Sequence, residues 1–467
     1  MNERLVYLES LGCSKNLVDS EATLGFLLKA GYRLQADPDA ADLILLNTCG
    51  FVEDAKRQSI ERILELAEFR KSGTKLVVFG CLSQRYAESL KEEMPEIDLL
   101  AGVGQQKDLA AAIDLLFENG HSLSISPAKP RISFEGFRDR PLLTPSHMAW
   151  VKVGEGCSHA CSFCAIPAIR GKFESRKLED IVEESEILVS RGVGEINLIS
   201  QDTAYFGREA GAPNALRDLL QKLSAISHLR WIRLFYFHPA LVTAEDLLRI
   251  FDIPRVLPYL DLPIQHASDS MLQIMRRGHD RSRLSSMIRK LRRERPDLTL
   301  RTSVLLGHPG ETEEDFGELL EFLEEHPFDK LGIFEFSAEE GTHATDLPGR
   351  VEEALAAERA DRLRMFQMPI SEDLSRKQIG KTMTGVVEAT ASAGEGLPPE
   401  RRLHLLESSP FPASKAVIRT ERDAYEVDAV LFSDEERELA LGQWVKVEVE
   451  DADVYDLKGR VIGPASP

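Results

Sequence analysis

The chain has 467 residues, 43% of them hydrophobic and 29% charged, which is ordinary for a globular protein and long enough for about three domains of roughly 100–200 residues each. Its net charge of −20 argues against a nucleic-acid ligand, whose phosphates need Lys and Arg; it suits either a basic partner or plain solubility. No stretch approaches the ~20 apolar residues of a membrane span, and Met1–Ser10 alternates like a strand with no basic-then-apolar leader, so a cytoplasmic protein without a membrane partner is expected.

Residues 1–125 alternate strands and helices. Leu5–Ser10 reads as a strand and Asn16–Ala30 as a helix. Leu43–Asn47, a continuous apolar run, suits a buried parallel strand, and Glu53–Arg70 a helix. Leu76–Phe79 is the next strand, a helix follows from about Gln84, and Leu99–Val103 and Leu109–Glu118 complete the pattern. The expected fold is an α/β, doubly wound parallel sheet. Cys13, Cys49 and Cys81 each fall just past a predicted strand. In a parallel sheet those carboxyl ends share one edge, where ligands bind. Three cysteines distant in sequence are therefore expected to converge as ligands of a metal cluster, against the plainer reading of three buried structural cysteines.

Residues 126–145 form an expected linker, with Pro127, Pro130, Pro141 and Pro145 in the Ser/Pro-rich stretch 121–145. From 146 to 378 a second alternation runs. Its strands are Trp150–Val153, Ile196–Ile199, Trp231–Phe235, Tyr259–Leu262, Thr302–Leu306 and Gly332–Phe336. Helices such as Leu178–Arg191 and Arg281–Arg293 lie between them, and an amphipathic helical region, Glu352–Lys377, ends the series. Six units suggest an open (β/α)6 barrel with its site at the strands' carboxyl ends. Cys157-Ser-His-Ala-Cys161-Ser-Phe-Cys164 follows the first of these strands. A [4Fe–4S] cluster normally takes four cysteines, so three on one loop leave an iron open to a small molecule. The alternative is a zinc site with His159 as fourth ligand, though no second ligand pair follows. All six cysteines precede residue 165, and two groups of three fit two clusters better than a disulfide framework. Residues 379–450 turn to short alternating strands, Thr384–Thr390, Lys415–Arg419, Ala424–Phe432 and Gln443–Glu450, as in a small β-barrel. Such barrels often bind nucleic acid. Between Lys381 and Lys446, however, 8 Lys plus Arg face 12 Asp plus Glu, a poor phosphate clamp.

Several stretches together resemble one family. Gly12-Cys-Ser-Lys-Asn-Leu-Val-Asp-Ser-Glu21, Asn47-Thr-Cys-Gly-Phe51 and Gly80-Cys81 are similar to the N-terminal domain of methylthiotransferases. Glu155-Gly-Cys157 through Cys164-Ala-Ile-Pro167, then Arg170-Gly171, Ser175-Arg176, Pro263-Ile-Gln-His266 and Gly307-His-Pro-Gly-Glu-Thr312, are similar to that family's radical S-adenosylmethionine (SAM) core. The tail resembles a TRAM domain. Within the family, Ser14–Glu21 and the acidic tail resemble the RimO branch, which methylthiolates the β-carbon of an aspartate in small-subunit ribosomal protein twelve. The sister MiaB branch modifies an adenosine of transfer RNA.

The resemblance implies two [4Fe–4S] clusters and SAM as cofactors. Cys157, Cys161 and Cys164 would hold the catalytic cluster, which splits SAM reductively to a 5′-deoxyadenosyl radical that takes hydrogen from the substrate. Cys13, Cys49 and Cys81 would hold an auxiliary cluster whose open iron carries an exogenous sulfur, methylated by a second SAM. The cofactors carry the difficult chemistry; the protein orients them. An electron donor and a sulfur source are implied but not identified. Candidate SAM contacts are Phe163 for the adenine, Arg176 for the carboxylate, Gln201 for the amino group, Gln265 and His266 for the ribose, and the Gly307–Gly310 turn. Gln201 lies in Ser200-Gln201-Asp202, where such enzymes often carry Gly-Gly-Glu. Each has a structural alternative: core packing for Phe163, an ion pair for Arg176, a plain turn at Gly307. His238, His308 and His343 read as structural. The competing functions are a tRNA methylthiotransferase and a non-catalytic iron–sulfur or zinc protein.

Overall fold

In the computed structural model, the described residues are 4–119, 123–125, 129–390, 410–411, 414–435 and 439–465. Pro127 lies outside them. The first domain holds β1 (Leu5–Ser10), α1 (Ser14–Lys29), β2 (Arg33–Leu34), β3 (Leu43–Thr48), α2 (Glu53–Phe69), β4 (Lys75–Gly80), α3 (Cys81–Glu93), β5 (Leu99–Ala101), α4 (Gln106–Asn119) and β6 (Leu123–Ser124). The sheet order is β2-β1-β3-β4-β5-β6, and every pairing is parallel. Strand β3 is buried along its whole length because helices cover both faces. Leu43 and Leu45 pack with α1 and α4, while Ile44 and Leu46 pack with α2 and α3, as the two-residue strand period requires.

The segment read as a linker is packed against its neighbours. Phe137 and Arg140 are both fully buried. Arg140 donates to Glu21 of α1 (Nε–Oε2 2.8 Å) and to the Phe137 carbonyl (2.6 Å), and pairs with Glu184. The strap therefore ties the first domain to the second.

The second domain begins with β7 (Met148–Lys152), β8 (Gly154–Glu155), α5 (Ile166–Arg170), β9 (Glu174–Ser175), α6 (Leu178–Ser190), β10 (Glu195–Ile199), α7 (Ala215–Ser224) and β11 (Trp231–Leu234). It continues with α8 (Ala244–Phe251), β12 (Val256–Asp261), α9 (Asp269–Ile274), α10 (Arg281–Glu294), β13 (Thr299–Leu306), α11 (Glu313–Glu325), β14 (Lys330–Glu335) and α12 (Glu353–Arg376). Its six-stranded sheet runs β14-β13-β12-β11-β10-β7, all parallel. The six-unit partial barrel expected from the sequence is present.

The last domain is a closed barrel of β15 (Thr382–Thr390), β16 (Ala416–Thr420), β17 (Leu431–Ser433), β18 (Trp444–Ala452) and β19 (Leu457–Pro464). Its closing strand lies beyond residue 450, where the sequence reading ended. Residues 391–409 are outside the described set. One apolar cluster joins all three domains: Val18 and Ala22 of α1, Trp150, Trp231, Phe235 and Tyr259 of the partial barrel, and Val386, Val417 and Phe432 of the closed barrel. Polar pairs reinforce it. Arg419 bonds Glu388 (2.7 Å) and forms an ion pair with Glu195 (2.6 Å), and Glu195 also accepts from Arg233 (3.1 Å).

Candidate active site

Cys13 is the N-cap of α1 and Cys81 the first residue of α3. Cys49 follows β3, and its amide donates to Ser59 Oγ (3.1 Å). Two of the three thiols thus stand at helix N-termini, where the backbone dipole favours negative charge. Gly80, the N-cap of α3, has φ +102, and a Cβ there would lie 2.2 Å from Asn47 Oδ1; only glycine lets Cys81 approach this edge. The three converge: a Cβ at Gly12, next to Cys13, would meet Cys49 first, its Cβ at 2.8 Å and its Sγ at 3.1 Å, and each of Cys49 and Cys81 feels Cys13 electrostatically. Burial pushes the Cys49 thiol up to about 12, and the neighbouring Cys81 adds to the rise. Burial likewise raises Cys81, against the pull of Arg170. Desolvation also acts on Cys13, but Lys15 and Arg170 outweigh it and its pKa is lowered.

The second trio occupies the loop after β8, at the carboxyl end of the barrel strands. The Cys157 amide donates to the Gly171 carbonyl (2.9 Å), the Ser162 amide to Met275 O (3.1 Å), and Ala344 N to Ser162 O (2.8 Å). The Ser162 hydroxyl meets His308 Nε2 at 2.9 Å. Arg277 Nη1 donates to Cys161 Sγ (3.1 Å). Cys157 and Cys164 are pushed up to about 12, first by burial and then by the other thiols. Among the described residues, no three His, Cys, Asp or Glu side chains are spaced to hold one metal ion. His159 does not join the cysteines as a ligand. Its Nε2 pairs with Asp202 Oδ2 (2.6 Å) and its ring stacks on His238 (centroids 3.8 Å).

The two trios face one another. Cys81 packs with Val103, Ala165 and Ile169, and Ala165 is the residue after Cys164. Arg170 lies across the junction. Its Nη2 donates to Cys81 Sγ (3.3 Å) and Asn16 Oδ1 (2.5 Å), and its Nη1 to Glu155 (2.9 Å) and Asp19 (3.2 Å). Lys152 Nζ, fully buried, bonds Asp19 (2.7 Å) and pairs with Glu155. Burial raises the Glu155 pKa, but Arg170 and Lys152 outweigh it and hold the carboxyl far below its ordinary range.

The other candidates divide. Gln201 enters the site: its Nε2 donates to Glu155 Oε1 (2.7 Å), and its Oε1 is buried without a partner among the described atoms. His266 is buried, with Nε2 unpartnered and its pKa lowered to about 4 by burial. Gln265, at φ +70, exchanges backbone bonds with Ser303 and Leu305, continuing the sheet past the end of β12. Phe163 packs with Met271, Met275 and Phe336 near the cysteine loop. Arg176 does not join the group. Its guanidinium is 4% exposed, bonds the Lys152 carbonyl (2.8 Å) and pairs with Glu184 (2.6 Å). Gly307 has φ +80, and a Cβ there would lie 2.5 Å from Ala356 Cβ; its requirement comes from α12. Of the three histidines, His308 serves Ser162, His238 stacks on His159, and His343 opens a 3-10 turn. Sequence reasoning assigned no role to Arg170, Lys152, Asp19 or Arg277. Arg170 sat in a quoted motif; Arg277 carried no sequence signal.

Residues 5–102 match the family described as Uncharacterized protein family UPF0004, residues 151–323 the Radical SAM superfamily, and residues 405–462 the TRAM domain. The chain is 40% identical to the ribosomal protein uS12 methylthiotransferase RimO of Clostridioides difficile over 461 residues, covering 98% of each chain. It is also 40% identical to the RimO of Anaeromyxobacter sp. strain K, covering 98% of this chain and 93% of that one. A solved structure of the radical SAM methyltransferase TsrM from Kitasatospora setae shares the fold, with TM-score 0.52 at 14% identity over 85% of this chain and 81% of that one. At such identity over nearly its whole length, and with all three domains matched in order, the chain belongs to the RimO family of radical SAM methylthiotransferases.

Proposed function

We propose that the protein attaches a methylthio group to the β-carbon of an aspartate in ribosomal protein uS12, using SAM and two [4Fe–4S] clusters. The observation that carries this reading is the pair of three-cysteine sets meeting across Arg170. Cys157, Cys161 and Cys164 would hold one cluster and Cys13, Cys49 and Cys81 the other. The donor sets fit such groups, because each has three thiols, no fourth, and an arginine N–H directed at one sulfur. When bound, the clusters supply one-electron chemistry on SAM and a site for sulfur. The chain's own residues do the positioning. The Ser162 and Met275 bonds fix the cysteine loop, α5 carries Arg170 from that loop to Cys81, and Asp202 joins His159 to the His238 amide (3.2 Å) at the barrel mouth. Gln201 and His266 present unpartnered polar atoms there and are the proposed SAM contacts, with Phe163 and Gln265 beside them.

The charge distribution supports a basic protein substrate over tRNA. Arg419 and Arg422 of the last domain are spent on Glu195, Glu388 and Asp329, not displayed for phosphates. No helix of the described residues is long and apolar enough to cross a membrane, and a ribosomal substrate supports a cytoplasmic reaction. The test is mass spectrometry of uS12 and of tRNA after anaerobic incubation with reconstituted protein, SAM and dithionite. The expected product is one methylthio group on a uS12 aspartate. Modified adenosine with untouched uS12 would move the chain to the MiaB-like activity; no product, with SAM intact, would remove the enzymatic reading.

A further inference from the structure

Lys15 is 8% exposed, yet its ammonium has no hydrogen bond and no ion pair among the described residues. Its nitrogen lies over the ring of Tyr236, 3.4 Å from the centroid. The other buried cations of this interface are different: Arg140 holds Glu21, Lys152 holds Asp19, and Arg170 holds Asp19 and Glu155. Lys15 is also the second residue of a 16-residue helix whose first turn has no acidic residue. The helix dipole repels a cation there. The protein therefore holds a positive charge in a defined place, over the Tyr236 ring and beside Cys13.

That place is the gap between the two cysteine sets. Lys15 is two residues from Cys13, which is exposed, and its charge acts on that thiol. Tyr236 stands just beyond the carboxyl end of β11 with φ +61, and its carbonyl accepts from Thr203 N (2.9 Å). Two residues on, His238 stacks against His159 of the Cys157–Cys164 loop. Lys15 Nζ is thus tied to the first set through Cys13 and, through the Tyr236–His238 segment, to the loop that carries the second.

We propose that Lys15 Nζ binds the side-chain carboxylate of the substrate aspartate and so holds the adjacent β-carbon between the two cysteine sets. This rests on the uS12 reading above. The carboxylate is one bond from the reacting carbon, so an anchor on it fixes that carbon with little rotational freedom. It also gives specificity: an asparagine in the same place leaves the ammonium without its counter-charge. Lys15 is thus a specificity-determining residue that the chemistry of the clusters does not itself require.

The test is a double-mutant cycle on anaerobically reconstituted protein. The probe is the uS12 peptide around the aspartate that the native protein modifies, with its Asp→Asn counterpart, and binding is read by fluorescence anisotropy. A charge-assisted hydrogen bond of about 1.5–3 kcal/mol corresponds to roughly ten- to 150-fold in affinity. Native protein should prefer the aspartate peptide by that order. Lys15→Gln should weaken the aspartate peptide and bring the two peptides level, and Lys15→Arg should keep most of the preference. Iron and sulfide content of Lys15→Gln should match native protein. Unchanged discrimination in Lys15→Gln overturns the proposal. So does lost iron or a shifted cluster potential with discrimination intact, which would make Lys15 a counter-charge for the cluster. If native protein binds neither peptide and leaves uS12 unmodified, the uS12 reading itself falls, and this assignment with it.

Discussion

Arg170 is the side chain on which the junction of the two cysteine sets turns, and Arg170→Met is the sharpest perturbation of it. The guanidinium is 2% exposed. Removing it leaves Asp19 and Glu155 with Lys152 as their one ion-pair partner among the described residues, and takes the guanidinium donor from Asn16 Oδ1 and Cys81 Sγ. Breaking a buried ion pair from one side typically costs about 3–5 kcal/mol, because the surviving charge stays buried. Methionine fills a similar volume, so little of the loss comes from a cavity. The expected deficit is therefore about 3–5 kcal/mol at neutral pH.

Tryptophan fluorescence during urea unfolding measures it. The three tryptophans, Trp150, Trp231 and Trp444, all belong to the apolar cluster shared by the three domains, so the signal reports separation of the domains. The pH dependence gives an independent sign. Glu155 has a folded pKa depressed by Arg170 and Lys152, so its stabilising contribution is present above its unfolded pKa and is lost as the pH falls through the folded value. Arg170→Met removes part of that depression. The gap between variant and native protein should then narrow as the pH is lowered below the ordinary glutamate range. A deficit under about 1 kcal/mol, or one that does not change with pH, would refute the claim that this guanidinium binds the domains together through buried carboxylates.

Two further outcomes follow from single contacts. Gly307→Ala places a methyl 2.5 Å from Ala356 Cβ at φ +80 and should cost about 1–3 kcal/mol from overpacking plus backbone strain; adding Ala356→Gly should recover the packing part only, read from urea midpoints. Asp315 completes the capping box of α11, whose N-cap is Thr312, and accepts from Ser268 Oγ (2.5 Å) and Thr312 N (2.9 Å). Burial raises its pKa, but the Ser268, Ser270 and Thr312 hydroxyls outweigh this and hold it at about 2. Its stabilisation, about 2–3 kcal/mol from a shift of this size, is complete above the unfolded aspartate pKa and disappears as the pH falls towards 2. Asp315→Asn should remove that portion of the acid dependence in unfolding measured between pH 2 and 5.

Much of the fold was legible because its signals are local. Leu43–Leu46 is apolar on both faces, as a central parallel strand must be, and the cysteines stand at strand ends that topology alone brings together. What the sequence hid depends on distant partners. Ala424–Phe432 reads as one alternating strand, but only Leu431–Ser433 pairs. The preceding residues are held by Asp428, which accepts from Tyr259 Oη (2.6 Å) and Ala424 N (2.9 Å). Their apolar side chains satisfy a domain interface, not a ladder. Strand β19 escaped because Gly459 and Gly463 break its alternation. Arg176 had the composition of a ligand-binding arginine, yet its Nη1 is held by Glu184 and the Lys152 carbonyl.

The same distinction explains why the site needs three domains. The cysteine sets come from two separate sheets, so the distance between them is fixed by how those sheets dock, not by either fold alone. Docking relies on side chains that are buried and charged: Arg140 on Glu21, Lys152 on Asp19, and Arg170 on Asp19 and Glu155. Such pairs contribute little net stability compared with apolar packing. They do penalise every misaligned arrangement, because a shifted domain would leave charges buried and unpaired. The apolar cluster through Val18, Trp150 and Val417 supplies the adhesion, and the ion pairs select the register. The proposed transfer of a group from one cysteine set to a carbon held beside the other depends on that register more than on the strength of the contact.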